Sequence, residues 1–189
     1  MCGIVSYIGH QDPVPILIKG LRRLEYRGYD SAGLALLDGE NISSVKKAGK
    51  VAELYDKVLS KPVQGTCGIA HTRWATHGVP NDINAHPHLD KTGKIALVHN
   101  GIIENHDSIK KILIGRGVSF KSETDSEVLV QLISELYYES EGDLDFKDAV
   151  KAALQEVIGA YGIVAMCSDE PDTLVAARMG SPLVFGVGD

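Results

Sequence analysis

The sequence predicts an α+β domain with antiparallel sheets. Candidate strands fall into groups, and candidate helices fall mainly into a separate group between residues 106 and 157. The connections between strands look like hairpins, and the clearest is the turn at Asp38-Gly39 between two apolar segments. Because strands and helices do not alternate strictly, the pattern favours antiparallel sheets over a parallel βαβ sheet.

The first half of the chain contains most of the predicted strands. Asp12-Pro13 is a helix-start signal, a capping residue followed by proline, and Gly28 fits the end of that helix. In chain order, the predicted elements are a strand at 2–9, a helix from 13 to the residue before Gly28, strands at 32–37 and 42–45, a helix at 51–59, and strands at 66–72 and 95–99.

The second half contains three predicted helices followed by strands. The segment Thr124–Glu127 is a capping-box pattern that marks the start of one of these helices. The helices are predicted at 106–115, 125–139 and 145–157, and the strands at 160–167, 173–177 and 183–187. The segment Arg73–Gly93, rich in Gly, Pro, Asn and His, predicts a long loop without regular structure, which is typical of functional or disordered segments.

The composition limits the possible functions. With 189 residues, 44% of them hydrophobic, the chain can form one domain with a buried core. The net charge of −6 argues against a nucleic-acid partner, because neutralising phosphates requires clustered Lys and Arg. The three cysteines lack the spacing of a disulfide framework, which favours a reducing compartment. No apolar run approaches the ~18 residues of a membrane span and no leader pattern occurs, so we predict a cytoplasmic protein without a membrane partner.

The most informative residue is Cys2, which follows the initiator methionine and precedes an apolar run. Removal of Met1 would place a thiol and a free α-amine on one residue. An N-terminal amine can act as the base for its own side-chain nucleophile. Its pKa is near ~8, so part of it is unprotonated at neutral pH. The alternative is that Cys2 is only a small apolar residue at the start of a buried strand.

A second candidate site is the segment His71–Gly78, where a predicted strand gives way to the long loop. Arg73 offers a planar guanidinium suited to a carboxylate, Thr76 offers a hydroxyl, and Trp74 is large enough to serve as a mobile lid. The alternative interpretation makes Arg73 a surface ion pair and Trp74 a packing anchor.

Two further segments carry polar groups at the ends of predicted elements. Asn100-Gly101 follows an apolar strand, and an Asn amide beside a backbone N–H forms the two parts of an oxyanion hole. An ordinary Asn-Gly turn is the alternative. Asp125, in the first turn of a predicted helix, either complements the helix dipole or binds a substrate ammonium.

The remaining candidates are an arginine and a pair of histidines. Arg27 follows the first helix and is either structural or, being close in sequence to the N-terminal strand, a neighbour of Cys2 in space. His86 and His88 have the His-x-His spacing of a zinc site. The proline between them and the lack of a Cys or HExxH partner argue against it, so we predict no metal.

Together these segments resemble the glutaminase domains of the glucosamine-6-phosphate synthase family, also called glutamine:fructose-6-phosphate amidotransferases. The sequences Cys2-Gly3-Ile4 and Asn100-Gly101 are typical of all amidotransferases with an N-terminal cysteine. Two narrower motifs, Tyr26–Ser31 and His71–Gly78, favour this family within that class.

The resemblance implies an N-terminal-nucleophile hydrolase fold, a four-layer αββα sandwich with two antiparallel sheets, and no cofactor. Cys2 would attack the side-chain amide of L-glutamine, and Asn100 with the Gly101 N–H would hold the oxyanion. The implied substrate-binding residues are Arg73, Thr76 and His77 for the α-carboxylate and Asp125 for the α-ammonium, with Arg27 and Trp74 in supporting positions.

In this family, ammonia passes through a channel to fructose 6-phosphate on a separate sugar-isomerase domain, and we expect the full-length enzyme to be a homodimer. Residues 1–189 contain no such domain, and the family's glutaminase region continues past Asp189. We therefore expect one glutaminase domain that is truncated at its C-terminal end. Three other interpretations stay open: a different N-terminal-cysteine amidotransferase, a non-catalytic amino-acid-binding module, and a zinc protein that uses His86 and His88.

Overall fold

The computed structural model describes residues 2–61, 63–74, 78–140 and 142–188. Met1, Thr76 and His77 lie outside the described residues. The strands are β1 (Gly3–Ile8), β2 (Ser31–Leu37), β3 (Ile42–Ala48), β4 (Cys67–Arg73), β5 (His88–Leu89), β6 (Ile95–Ile103), β7 (Gly159–Cys167) and β8 (Leu174–Met179). The helices are α1 (Pro13–Leu24), α2 (Val51–Ser60), α3 (His106–Gly115), α4 (Asp125–Glu139) and α5 (Phe146–Gln155).

The strands form two four-stranded sheets, with the orders β1-β4-β2-β3 and β5-β6-β7-β8. Every pairing within them is antiparallel. In the first sheet, Gly3 of β1 lies opposite Thr72 of β4. This register brings the start of the chain to the end of β4, where the segment His71–Gly78 begins.

Four layers follow from where the apolar side chains lie. Helices α1 and α2 cover the outer face of the first sheet, where Leu17 and Leu54 are fully buried. Ile69 and Val98 belong to the cluster between the two sheets. Helices α4 and α5 cover the second sheet through a cluster that includes Phe146. The four-layer αββα sandwich implied by the resemblance is therefore confirmed.

Local capping explains where the helices begin and end. The carboxylate of Asp12 accepts the Val14 N–H at 2.9 Å, so α1 begins at Pro13 as predicted. After α1 a short 3₁₀ turn ends at Gly28, whose φ of +75° favours glycine. The Thr124 hydroxyl accepts the Glu127 N–H at the start of α4. The Glu127 carboxylate binds Ser122 instead of closing a reciprocal capping box.

Three predictions about secondary structure were wrong. The predicted loop contains the short strand β5, because His88 and Leu89 pair with the edge of β6. Strand β6 continues to Ile103, so Asn100-Gly101 lies inside a strand and forms no turn. Residues 183–187 have no regular secondary structure, and their larger side chains are largely exposed. No helix among the described residues is long and apolar enough to cross a membrane.

Candidate active site

A cavity of about 260 Å³ lies where the two sheets and the start of α4 meet. Five separate parts of the chain contribute to its wall: the residue before β1, the end of β4, the segment before β5, the end of β6 and the start of α4. The lining residues include Cys2, Arg73, Trp74, His86, His99, Gly101, Asp125 and Ser126. The volume is smaller than that of most drug-binding pockets and suits a small metabolite.

Cys2 lines this cavity, and its thiol lies against the backbone of Trp74. The Trp74 N–H donates to the Cys2 sulfur at 3.1 Å, and the Trp74 carbonyl oxygen lies 3.6 Å from the same sulfur. Burial raises the pKa of the Cys2 thiol, and the hydrogen bond from the Trp74 backbone opposes that rise. The thiol therefore needs a base to become a nucleophile at neutral pH.

Asn100 and Gly101 approach Cys2 from the other sheet. The Asn100 amide nitrogen donates to the Cys2 carbonyl oxygen at 3.4 Å. Gly101 lines the cavity and has a φ of +133°. A Cβ at this position would overlap the carbonyl oxygen of Ala160 in β7. Only glycine fits here, because a side chain would collide with the backbone of β7.

Arg73 and Asp125 place opposite charges in the same cavity wall. Arg73 is 3% exposed, and its Nη1 lies 3.8 Å from a carboxylate oxygen of Asp30. The alternative interpretation of Arg73 as a surface residue was therefore wrong, because its side chain is buried, although Asp30 is partly exposed. Asp125 is 4% exposed, and one of its oxygens accepts the Ile103 N–H at 2.9 Å. A buried cation and a buried anion in one small cavity match an amino-acid zwitterion.

Arg27 and Trp74 both contact Cys2, but only Trp74 lines the cavity. Arg27 Nη1 donates to the Cys2 carbonyl oxygen at 3.5 Å. The Trp74 side chain is 55% exposed, and its ring lies over Gly28. The packing-anchor interpretation of Trp74 is thus wrong, since a core anchor would be buried. Its motion as a lid stays a prediction.

Sequence reasoning missed that several histidines form a buried, hydrogen-bonded set in the cavity wall and behind it. His71 Nε2 lies 2.7 Å from the Asn100 side-chain oxygen. The Ser126 hydroxyl lies 2.8 Å from His86 Nε2 and 2.9 Å from His99 Nδ1. These side chains fill the space between β4, β6 and α4. The signals in the sequence were that His71 opens the candidate segment His71–Gly78 and that His99 directly precedes Asn100.

His86 and His88 belong to this hydrogen-bonded set. His88 Nε2 lies 3.0 Å from the Thr124 hydroxyl, and His86 binds Ser126. Burial lowers the pKa of both imidazoles well below its usual value. Within the described residues, no group of three or more His, Cys, Asp and Glu side chains is arranged to hold a metal ion.

A wider groove of about 670 Å³ also reaches the thiol. Cys2 and Gly101 line both this groove and the smaller cavity. The groove runs along β1 and past Arg27 to the segment that follows β8, where Ser181 and Leu183 form part of its wall. Cys2 therefore borders open space on a second side.

Comparison with known proteins agrees with this geometry. Residues 60–183 match the glutamine amidotransferase domain family. The chain belongs to this family. The match covers the end of β4, all of β6 and the start of α4, and Cys2 lies outside it.

Curated relatives cover the whole chain. A glutamine–fructose-6-phosphate aminotransferase (isomerizing) of Bacteroides thetaiotaomicron is 55% identical over 100% of this chain. Proteins of the same name from Chlorobaculum tepidum and Thermus thermophilus are 54% and 51% identical. The chain spans 30–31% of the length of these relatives.

Solved structures show the same fold. A glutamine phosphoribosylpyrophosphate amidotransferase from Bacillus subtilis, complexed with ADP and GMP, superposes with a TM-score of 0.76. It is 30% identical over 94% of this chain and 37% of its own. A class-II glutamine aminotransferase domain protein from Silicibacter pomeroyi, 16% identical with a TM-score of 0.60, shares the fold.

Proposed function

We propose that this domain hydrolyses L-glutamine to glutamate and ammonia, with Cys2 as the nucleophile. The observation that carries the proposal is that Cys2, Arg73 and Asp125 line one small cavity. The guanidinium would bind the α-carboxylate of glutamine and the carboxylate would bind its α-ammonium. The side-chain amide is then the part of the substrate left to face the thiol.

The chemistry needs one nucleophile, one base and an oxyanion hole. The Cys2 sulfur attacks the carboxamide carbon, and the thiol proton passes to the base. Asn100 Nδ2 and the Gly101 N–H would stabilise the negative charge that develops on the carbonyl oxygen. Collapse of the tetrahedral intermediate releases ammonia, which takes up the proton, and leaves a glutamyl thioester. Water then cleaves the thioester, giving glutamate and regenerating the thiol.

The base is the α-amine of Cys2 itself once Met1 has been removed. The raised pKa of the Cys2 thiol makes a base necessary. A free α-amine with a pKa near ~8 is suited to this task, acting directly or through a water molecule. While Met1 is attached, the same nitrogen is an amide and cannot accept the proton. Processing therefore switches on the site.

Residues 1–189 would form the glutaminase part of a longer, cytoplasmic protein. We propose that the whole protein transfers the ammonia to fructose 6-phosphate and makes glucosamine 6-phosphate, with the acceptor on a separate isomerase domain, as a homodimer. Support comes from the curated relatives at 50–55% identity, which are named for this acceptor. The structural relative named for phosphoribosylpyrophosphate is less similar, at 30% identity.

Thr76 and His77 lie outside the described residues, so their proposed part in binding the α-carboxylate rests on the sequence motif alone. Arg27 and Trp74 are proposed to support the site, since both contact Cys2. A non-catalytic amino-acid-binding module would keep the charges of Arg73 and Asp125 without using the thiol. The proposal needs no metal or other cofactor.

The test combines the intact mass of the natively expressed full-length protein with a glutaminase assay. We expect the mass to show loss of Met1 and the assay to show release of glutamate. A matched protein that keeps a blocked amino terminus should bind glutamine but release no glutamate. Full hydrolysis by the blocked form would overturn the role of the α-amine. Glutamine binding without hydrolysis by the processed form would favour the non-catalytic module.

A further inference from the structure

The side chain of His71 is buried between the two sheets, directly behind Asn100. His71 lies in β4 and is 0% exposed. Its Nε2 lies 2.7 Å from Asn100 Oδ1, a short hydrogen bond across the sheet-to-sheet interface. The His86 ring lies tilted against the His71 ring, with centroids 4.2 Å apart, and so limits its rotation.

The Asn100 amide has two different ends, and this contact decides which end faces Cys2. With Oδ1 on His71, the amide nitrogen points to the Cys2 carbonyl at 3.4 Å. Rotating the amide by half a turn would exchange these ends. The oxygen would then face the place where the oxyanion forms, and the site would repel the charge it has to stabilise.

An amide oxygen can only accept a hydrogen bond, so His71 has to present Nε2–H. Complete burial lowers the pKa of His71 to about 3, and the hydrogen bond to Asn100 only partly offsets this effect. The ring is therefore neutral at physiological pH and carries one N–H. If that proton sat on Nδ1, the bare Nε2 would instead accept from the amide nitrogen and favour the rotated amide.

We propose that His71 is a positioning residue: its Nε2–H holds the Asn100 amide so that the NH₂ group faces the oxyanion. The inference rests on the proposed function, because it assumes that Asn100 is an oxyanion donor. His71 touches neither the cavity nor the substrate. It acts through Asn100, and its effect should appear in turnover more than in substrate binding.

Three substitutions at one position test the role of this N–H in the full-length, Met1-processed protein. His71→Phe keeps the ring but removes the donor, and we expect kcat for glutamine hydrolysis to fall ~10-fold or more with KM changed less than ~3-fold. His71→Gln can place an N–H near the position of Nε2 and should restore most of kcat. His71→Asn is shorter, so its amide does not reach Asn100 and should not restore it. Equal loss with Gln and Asn would overturn the proposal.

A double-mutant cycle separates positioning from general damage to the fold. Asn100→Ala alone should lower kcat ~100-fold or more. If His71 acts through Asn100, adding His71→Phe to Asn100→Ala should lower kcat hardly any further. If the two residues act independently, their effects on kcat should multiply. His10→Phe, at an exposed histidine, is the matched control and should leave kcat unchanged.

The outcomes distinguish the oxyanion role of Asn100 from the positioning role of His71. A normal kcat in Asn100→Ala would overturn the oxyanion role and with it the proposed function of this residue. A low kcat in Asn100→Ala together with multiplicative effects in the cycle would overturn only the role of His71. If His71→Phe reduces the amount of folded protein, the kcat values of His71→Gln and His71→Asn still test the role of the N–H. Both replacements are polar and similar in volume.

Discussion

The backbone N–H of Trp74 points at the Cys2 sulfur from 3.1 Å. Two residues that are far apart in the sequence meet because β1 and β4 are paired, with Gly3 opposite Thr72. The last residues of β4 therefore lie beside the first residues of the chain. The pairing of β1 with β4 thus holds Trp74 against the Cys2 thiol.

Selective modification of Cys2 is the first prediction. Burial raises the pKa of Cys67 to about 12 and that of Cys167 to about 11, and both side chains are buried. A glutamine-like electrophile should therefore alkylate Cys2 alone, with one label per chain by mass spectrometry. Cys2→Ser should lose labelling and glutamine hydrolysis together, and in the full-length protein should spare sugar isomerisation. Cys167→Ala, the control, should keep both, and labelling of a Cys2→Ser variant would contradict the prediction.

Replacing Gly101 by alanine is the second prediction. Alanine would have to adopt a φ of +133°, and its Cβ would overlap the Ala160 carbonyl oxygen. Gly117→Ala is a matched control, because Gly117 also has a positive φ, of +88°, but nothing lies within 4 Å of its Cβ position. Backbone strain alone costs about 1–3 kcal/mol. We expect Gly101→Ala to lower Tm more than Gly117→Ala does and to remove glutaminase activity, which Gly117→Ala should keep.

Conservative replacement of Arg73 is the third prediction. Arg73→Lys keeps the charge but loses the planar fork that binds a carboxylate through two parallel hydrogen bonds. We expect KM for glutamine to rise ~10-fold or more, with a smaller change in kcat. Arg116→Lys serves as the control, because the Arg116 guanidinium pairs with Glu139 at the exposed surface. An unchanged KM in Arg73→Lys would show that this side chain does not bind the substrate.

The fourth prediction concerns stability at mildly acidic pH. Burial lowers the pKa of His71 to about 3 and those of His86 and His88 well below the usual value. In the unfolded chain these groups titrate near ~6.5. Below that pH the unfolded state binds protons that the folded state does not, so the free energy of unfolding falls as pH decreases. Each histidine contributes up to about 1.4 kcal/mol per pH unit.

Urea denaturation between pH 8 and pH 5 measures this effect above the range in which carboxylates titrate. Stability should be nearly constant above pH 7 and should fall steeply between pH 6.5 and 5. His71→Gln removes one of the three imidazoles, so the slope of the unfolding free energy against pH should decrease by about a third. His10→Gln, at an exposed site, should leave the slope unchanged. Equal stability of the wild-type chain at pH 7 and pH 5 would contradict the assignment of these histidines as neutral.

Local signals in the sequence predicted most of the elements correctly. The Asp12 cap and the Asp38-Gly39 turn depend on neighbouring residues only, so α1 and the β2–β3 hairpin could be recognised without tertiary information. The errors occurred where pairing with a strand distant in the sequence determines the local structure. Strand β5 exists because His88 and Leu89 meet β6, and Asn100-Gly101 is extended because β7 pairs with it. A short segment with no periodic pattern cannot reveal such a partner.

By itself, the sequence determined which groups are available for the chemistry: a thiol at the second position, an Asn-Gly pair, and an arginine and an aspartate of opposite charge. These follow from residue identity and from motifs a few residues long. Only the tertiary structure decided that Cys2, Arg73, Gly101 and Asp125 line one cavity and that His71 lies behind Asn100, since strand pairing and sheet packing set those distances. The histidines show the difference most clearly. From the sequence we predicted no metal at His86 and His88, and only the structure shows that burial and hydrogen bonds make them neutral members of the buried set around the cavity.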